Sequence, residues 1–259
     1  MDFLKETWKI VVDYFPQLLS GIGYTMLIAL TGTVAGLVIG LLTGIVRTSP
    51  LSEHPVLRVL HRIANGVIAV YIEVFRSTPM MVQAMVIYWG VAFLNDGQTL
   101  PLIPSGIFIV SINTGAYMAE IVRGGIISVD RGQIEGAYSV GMTHAQAMLH
   151  VILPQALRNI LPSVSNEFVI NIKDTSVLNV IGVMELYFMA GVIYRKNFQI
   201  FQTYLVICIL YFVLTFTVTR LLRLLERQLE GKENYTICGS QSDPAAEIHV
   251  HAQEESWKR

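Results

Sequence analysis

The chain has 259 residues, a formal net charge of -1 and a mean hydropathy of +0.54, with 53% hydrophobic and 14% charged residues. Soluble domains carry roughly 25% charge, so this deficit, together with several long apolar runs, excludes an ordinary soluble domain and marks an integral membrane protein. No basic patch is interleaved with aromatics, which excludes nucleic-acid binding, and Cys208 and Cys238 make neither a disulfide framework nor a zinc site.

Residues 1–19 read as an interfacial segment. Trp8, Tyr14 and Phe15 suit the headgroup level, and the start lacks the plan of a cleaved signal peptide. A first span is expected over residues 20–46. Within it Gly32, Gly36, Gly40 and Gly44 share one helix face, a small-residue ridge that permits close helix packing. Arg47, Arg58 and Arg62 follow in a short basic connection, which points to the cytoplasmic side. The apolar run 63–94 is too long for one straight crossing of about 20 residues. Pro79 has no backbone N–H and is expected to kink or break it.

Residues 95–101 carry no Lys or Arg and fit the outer side. A third span covers 102–122, and Glu120 and Arg123 near its end can pair on one face. Another over-long apolar segment, 160–192, is interrupted by polar residues from Asn166 to Ser176. Polar breaks at membrane depth are tolerated only against protein or water. Lys173 and Asp174 are expected to mark the break, with Thr175 or Ser176 restarting the helix as a cap. The last span is 199–219, followed by Arg220, Arg223 and Arg227 on the inner side. The expectation is five spans, N-terminus outside and C-terminus cytoplasmic. Residues 229–259 lose the apolar pattern and read as a polar, disordered tail.

Residues 128–154 form the longest stretch without an apolar run. Asp130 with Gln133, and Thr143 with Gln146, read as capping boxes. Gly141 stands between them, where a helix ends in a left-handed residue. The pattern is helix, glycine elbow, helix, with Pro154 as the stop. No G-x-x-x-x-G-K-[ST] phosphate loop occurs in the chain, so any use of ATP requires another chain to bind it.

The elbow's residues resemble the loop of type I ABC importer permeases, written E-A-A, three residues, G, nine residues, I-x-L-P. Glu135, Gly136, Ala137, Gly141, Val151, Leu153 and Pro154 stand at that spacing, with Gly136 for alanine and Val151 for isoleucine. Phe75–Pro79, Gly115–Met142 and Lys173–Leu186 are similar to the polar amino-acid branch of that family. The resemblance covers most of residues 20–228 and implies an all-α membrane fold with five transmembrane helices. It implies a bacterial inner-membrane location and a coupling helix, Glu135 to Gly141, seated on a cytoplasmic ATPase. It further implies two ATPases that bind the ATP, a second permease (copy or paralogue) and an external substrate-binding protein. No cofactor belongs to this chain, and its work is transport with no covalent chemistry.

A zwitterionic amino acid crossing a low-dielectric region needs partners for both its charges, and ionisable residues at membrane depth are functional candidates by default. Glu73 and Glu167 suit an ammonium or a cationic side chain, and Thr78 and Asn166 suit a carboxylate or polar group. Ile170 lies one turn further on the same face as Asn166. The resemblance places substrate at the kinked second and fourth spans, where these five residues fall. The structural alternative pairs Glu73 with Arg76 and leaves Glu167 as a packing or capping group. One rival function is an ion-gradient-driven secondary amino-acid transporter, against which the lack of an internal repeat counts, and a second is a channel-like or scaffolding membrane protein that uses the elbow only for assembly.

Overall fold

A computed structural model describes residues 2–50 and 54–229 of the protein, and every regular element among them is helical. The helices are α1 (Asp2–Asp13), α2 (Phe15–Thr48), α3 (Pro55–Ser77), α4 (Met80–Leu94), α5 (Leu102–Ile127), α6 (Arg131–Ser139), α7 (His144–Ala147), α8 (Leu153–Asp174), α9 (Leu186–Asn197) and α10 (Ile200–Leu229). A π turn, Met148–Ile152, joins α7 to α8, and a 3-10 turn, Thr175–Ile181, follows α8. Among the described residues α2, α3, α5 and α10 are long and apolar enough to cross a membrane. A fifth crossing is the bent pair His144–Ile181 and Leu186–Asn197, which meet at 55°. The tail beyond Leu229 lies outside the described residues.

The centre of the bundle is α5, packed most extensively on α2. The glycine ridge of α2 makes this approach possible. Gly32 sits over Val110, Gly36 over Thr114, Gly40 over Met118 and Gly44 over Val122, so both helices contribute every fourth residue. A Cβ added at these glycines would lie 2.4–2.8 Å from the facing side chain. Lipid is as apolar as leucine, so helices in a bilayer associate through close packing and interhelical hydrogen bonds, not through exclusion of water. The α2–α5 seam supplies the packing. Asn171 of α8 supplies a hydrogen-bonded cross-link: its Nδ2 donates to Thr33 Oγ1 of α2 at 2.8 Å, and its Oδ1 accepts from Thr114 Oγ1 of α5 at 3.1 Å.

The amphipathic α1 buries Ile10 against Leu18, Leu186, Ile193 and α10, while Leu4, Trp8 and Val12 stay exposed. The run 63–94 breaks at Thr78-Pro79, as the proline requires.

Two expectations are corrected. Pro154 does not stop the second elbow helix. The π turn widens the helix so that the Leu153 N–H reaches the carbonyl of Met148, five residues back. That extra residue takes up the mismatch a proline ring creates with the preceding turn, and the helix continues into α8. Nor does the fourth span break with a cap at Thr175 or Ser176. Thr175 is buried and its hydroxyl donates to the Ile172 carbonyl at 2.9 Å. The turn of direction comes later, at Gly182 with φ +91°, a conformation glycine adopts without steric cost. Glu185 then caps α9, accepting from Tyr187 N at 2.9 Å and Phe188 N at 2.7 Å. It also accepts from the Tyr211 hydroxyl at 2.8 Å, so this fully buried carboxylate is held by three donors at a helix N-terminus.

Because Gly40 faces both the side chain and the backbone of Met118, Gly40→Leu is expected to destabilise the detergent-solubilised protein by about 1–3 kcal/mol or more, the usual range for overpacking. Gly23→Ala, where an added Cβ meets nothing within 4 Å, is the control. Thermal unfolding checks the pair: a lowered Tm for the first variant and none for the second is expected.

Candidate functional site

Two polar regions stand out in the bundle. The first is a belt across its middle, built where α3 gives way to α4. The break leaves helix-end carbonyls at membrane depth that need donors. Gln83, buried in α4, provides them: its Nε2 donates to Phe75 O and Thr78 O at 2.9 Å and to Thr78 Oγ1 at 2.8 Å. The Thr78 hydroxyl itself donates to Val74 O at 2.7 Å. Asn113 of α5 completes the set by donating to Gln83 Oε1 at 2.8 Å. Asn113 is followed directly by Thr114, which holds Asn171. The broken second span and α8 are therefore linked through two successive residues of α5.

Glu167 lies one turn before Asn171 and is buried, with Asn166 and Ile170 half-buried beside it. Its carboxylate is close enough to interact electrostatically with Asp174 and with Arg76 of α3. The expected site residues are thus partly gathered. Thr78 belongs to the amide belt, and Asn166, Glu167 and Ile170 form a patch on α8 next to the Asn171 cross-link. Glu73 is not in the belt. It is exposed on α3 and lines a cleft of about 610 Å³ together with Arg47, Arg76, Ser77 and Tyr117. It forms no ion pair with Arg76, whose guanidinium instead lies 5.5 Å from the centre of the Tyr117 ring. Glu120 pairs with Arg123 at 2.9 Å, as its spacing implies, and also with Arg47 of α2, which joins α2 to α5 near the elbow. The sequence reading passed over Gln83, Asn113 and Glu185. A lone amide inside an apolar run is the signal that would have found the first two.

The second region is the elbow. Asp130 caps α6 by accepting from Gly132 N at 2.7 Å, but among the described residues the reciprocal Gln133 bond of a capping box is missing. The Thr143–Gln146 box is complete. Between them α6 ends with Gly141 at φ +85°, Gly141 N bonded to Tyr138 O at 3.0 Å and Met142 N to Ala137 O at 3.1 Å. This is the Schellman arrangement that the glycine allows. The Tyr138 hydroxyl and His144 Nδ1 lie 2.9 Å apart, tying the two arms together.

The elbow's underside packs into a cluster of Val122, Ile126, Met148, Ile152 and Ile160. Ala137 is buried and Leu153 half-buried, while Glu135, Gly136, Gly141 and Pro154 are exposed. Val140 and Leu149 are also exposed, at 75% and 61%. Apolar side chains on an otherwise polar elbow make a surface suited to a partner.

Residues 51–231 match the family model of the inner membrane component of binding-protein-dependent transport systems. The chain is 35% identical over 227 residues to the glutamine transport system permease protein GlnP of Escherichia coli K12, covering 88% of this chain and 99% of the relative. It is also 35% identical, over 225 residues, to the L-cystine transport system permease protein TcyB of Bacillus subtilis 168, covering 86% and 91%. Among solved structures, an amino acid ABC transporter chain aligns with a TM-score of 0.73 at 37% identity, covering 88% of this chain and 99% of that one. The chain belongs to the family of inner-membrane components of binding-protein-dependent transport systems, the multi-pass permease subunits of ABC importers, in which a separate subunit hydrolyses ATP.

Proposed function

We propose that residues 20–228 form half of a translocation pathway for polar amino acids, with the elbow as the contact for the ATPase. The observation that carries this reading is the elbow itself. It is a rigid, doubly capped turn with exposed Glu135, Gly136, Val140 and Gly141 above a buried apolar base. The relatives supply the cargo class, since those named above are permeases of glutamine and L-cystine transport systems. The partners are two ATPase subunits, which bind the ATP, a second permease and an external binding protein. The elbow faces the cytoplasm with the C-terminus, and the N-terminal segment 1–19 lies at the outer surface. Glu135, Gly136, Ala137, Gly141, Leu153 and Pro154 shape the ATPase contact. Glu73, Thr78, Asn166, Glu167 and Ile170 line the amino-acid path. ATP binding draws the ATPases together, moves the elbows and shifts the bundle between inward- and outward-open states, each ligand favouring the state it binds better.

Reconstitution in liposomes with and without the partner ATPase tests the reading. Uptake of labelled amino acids is expected to require the ATPase, ATP and the binding protein. Uptake that persists without the ATPase and follows a proton or sodium gradient would overturn it. Gly141→Asp places a charged side chain at φ +85° on the contact surface and is expected to abolish ATP-coupled uptake while membrane insertion, followed by fractionation, stays normal. Gly136→Ala acts in the other direction. An added Cβ meets nothing within 4 Å, and alanine favours a helix by up to about 1 kcal/mol over glycine. Uptake is expected to be kept, with stronger hydrogen-exchange protection of α6.

A further inference from the structure

The end of the bundle opposite the elbow carries four basic side chains that neither the packing nor the elbow uses. Lys5 and Lys9 stand exposed on α1, and Arg195 and Lys196 stand exposed in the last turn of α9. Among the described residues none of the four forms an ion pair. With the N-terminus outside, as proposed above, they run against the rule that Lys and Arg collect on the cytoplasmic side.

The two pairs belong to one surface. The Phe3 ring of α1 lies 5.9 Å from the ring of Phe201, in the first turn of α10, and Ile10 packs in one cluster with Ile193 of α9. At about 100° per residue, the strips around α1 follow a fixed order. Ile10 faces the bundle, then come Leu4, Trp8 and Val12, then Lys5 and Lys9, and last Glu6 and Asp13. Leu4, Trp8 and Val12 are 58–74% exposed. An apolar strip bordered by a basic one, with carboxylates beyond, follows the bilayer profile from acyl chain through phosphate to water.

The turn between α9 and α10 repeats that chemistry. Phe198 adopts φ +57°, a left-handed conformation uncommon for a bulky residue. The turn is braced: Phe198 N donates to Tyr194 O at 2.8 Å, Gln199 N donates to Asn197 Oδ1 at 2.8 Å, and Asn197 Nδ2 donates to Thr203 Oγ1 at 3.2 Å. It holds the Phe198 ring outward, 86% exposed, two residues from Lys196. Aromatic rings beside cations suit the headgroup level of an anionic leaflet. A water-soluble acidic protein would meet the cations but leave the apolar strip of α1 in water.

We propose that α1 and the α9–α10 turn form a binding site for anionic phospholipid, with Lys5, Lys9, Arg195 and Lys196 on the headgroup phosphates and Trp8 and Phe198 at the upper acyl chains. The site goes beyond the transport reading and takes from it only which leaflet is bound.

Tryptophan quenching in liposomes tests it on the full-length chain. The tryptophans are Trp8, Trp89 and Trp257. Trp89→Phe with Trp257→Phe leaves Trp8 as reporter. Trp8→Phe with Trp257→Phe leaves Trp89, which is exposed on α4, a helix without a basic residue. Brominated phosphatidylcholine quenches both, and unbrominated phosphatidylglycerol or phosphatidylcholine is titrated in. Phosphatidylglycerol is expected to relieve quenching at Trp8 with about fivefold or greater preference over phosphatidylcholine, the effect of one basic residue at an anionic surface, and with no preference at Trp89. Replacing all four cations by Gln in the Trp8 reporter is expected to abolish the preference. Equal relief by the two lipids at Trp8 overturns the proposal without reference to the Gln variant, and so does a preference that survives the four substitutions. A Gln variant that keeps its lipid preference but loses stimulation of ATP hydrolysis by the binding protein would assign the cations to that protein and overturn the lipid site. The quenching measurement involves no cargo, so its failure and a failure of amino-acid uptake are separate results.

Discussion

The close approach of α2 and α5 is the constraint on which the rest of the bundle depends. Four glycines in a row on α2 let its backbone settle onto Val110, Thr114, Met118 and Val122. Nothing in lipid would otherwise favour that contact over one with acyl chains. With the seam in place, Thr33 and Thr114 face the same side and clamp Asn171 between them. That clamp orients α8, and with it Glu167. The same helix α5 presents Asn113 to Gln83 and so holds the broken second span. Both hydrogen-bonded links, at Asn171 and at Gln83, are therefore referenced to one apolar seam.

Polar groups in the bundle fall into two kinds. Some are fully occupied within the protein. Glu185 has three donors and fixes the start of α9, and Gln83 spends its amide on the carbonyls of a broken helix. Others stand at the wall of the cleft, among them Glu73 and Arg76. The division separates side chains that hold the bundle from side chains that line an open surface. It is also why single substitutions in the first group are structural in effect, through a buried group left unsatisfied.

Much of this was legible in the sequence. The four-residue spacing of Gly32 to Gly44 announced a seam, Pro79 announced a break, and Thr143 with Gln146 announced a cap. These signals are local, since each depends on a backbone preference or a helix period. What escaped reading depends on three-dimensional partners. Glu is not among the preferred N-caps, and only the approach of Tyr211 to the start of α9 shows Glu185 in that role. Pro154 looked like a terminator because the rule considers an α-helix, and the π turn before it evades the clash. Lys173 and Asp174 looked like the site of the break because they are charged, yet Gly182 bends the chain, and its φ is a matter of backbone freedom and not of polarity. Glu73 and Thr78 were grouped because both are polar residues at the kinked second span, and the turn of α3 directs the two to different surroundings.

The π turn at Met148–Ile152 has a mechanical meaning. Had Pro154 ended the helix, the elbow would hang on a hinge, and a displacement applied there would dissipate in the loop. Instead one unbroken rod runs from His144 through Asp174. From His144 to Glu167 it measures roughly 35 Å at about 1.5 Å per residue. Tilting such a rod by about 5° around its elbow end carries the Glu167 end through roughly 3 Å, which is about the length of a hydrogen bond. The helix is continuous from the elbow past Pro162 to Glu167, so a small rotation at one end is enough to make or break a contact at the other.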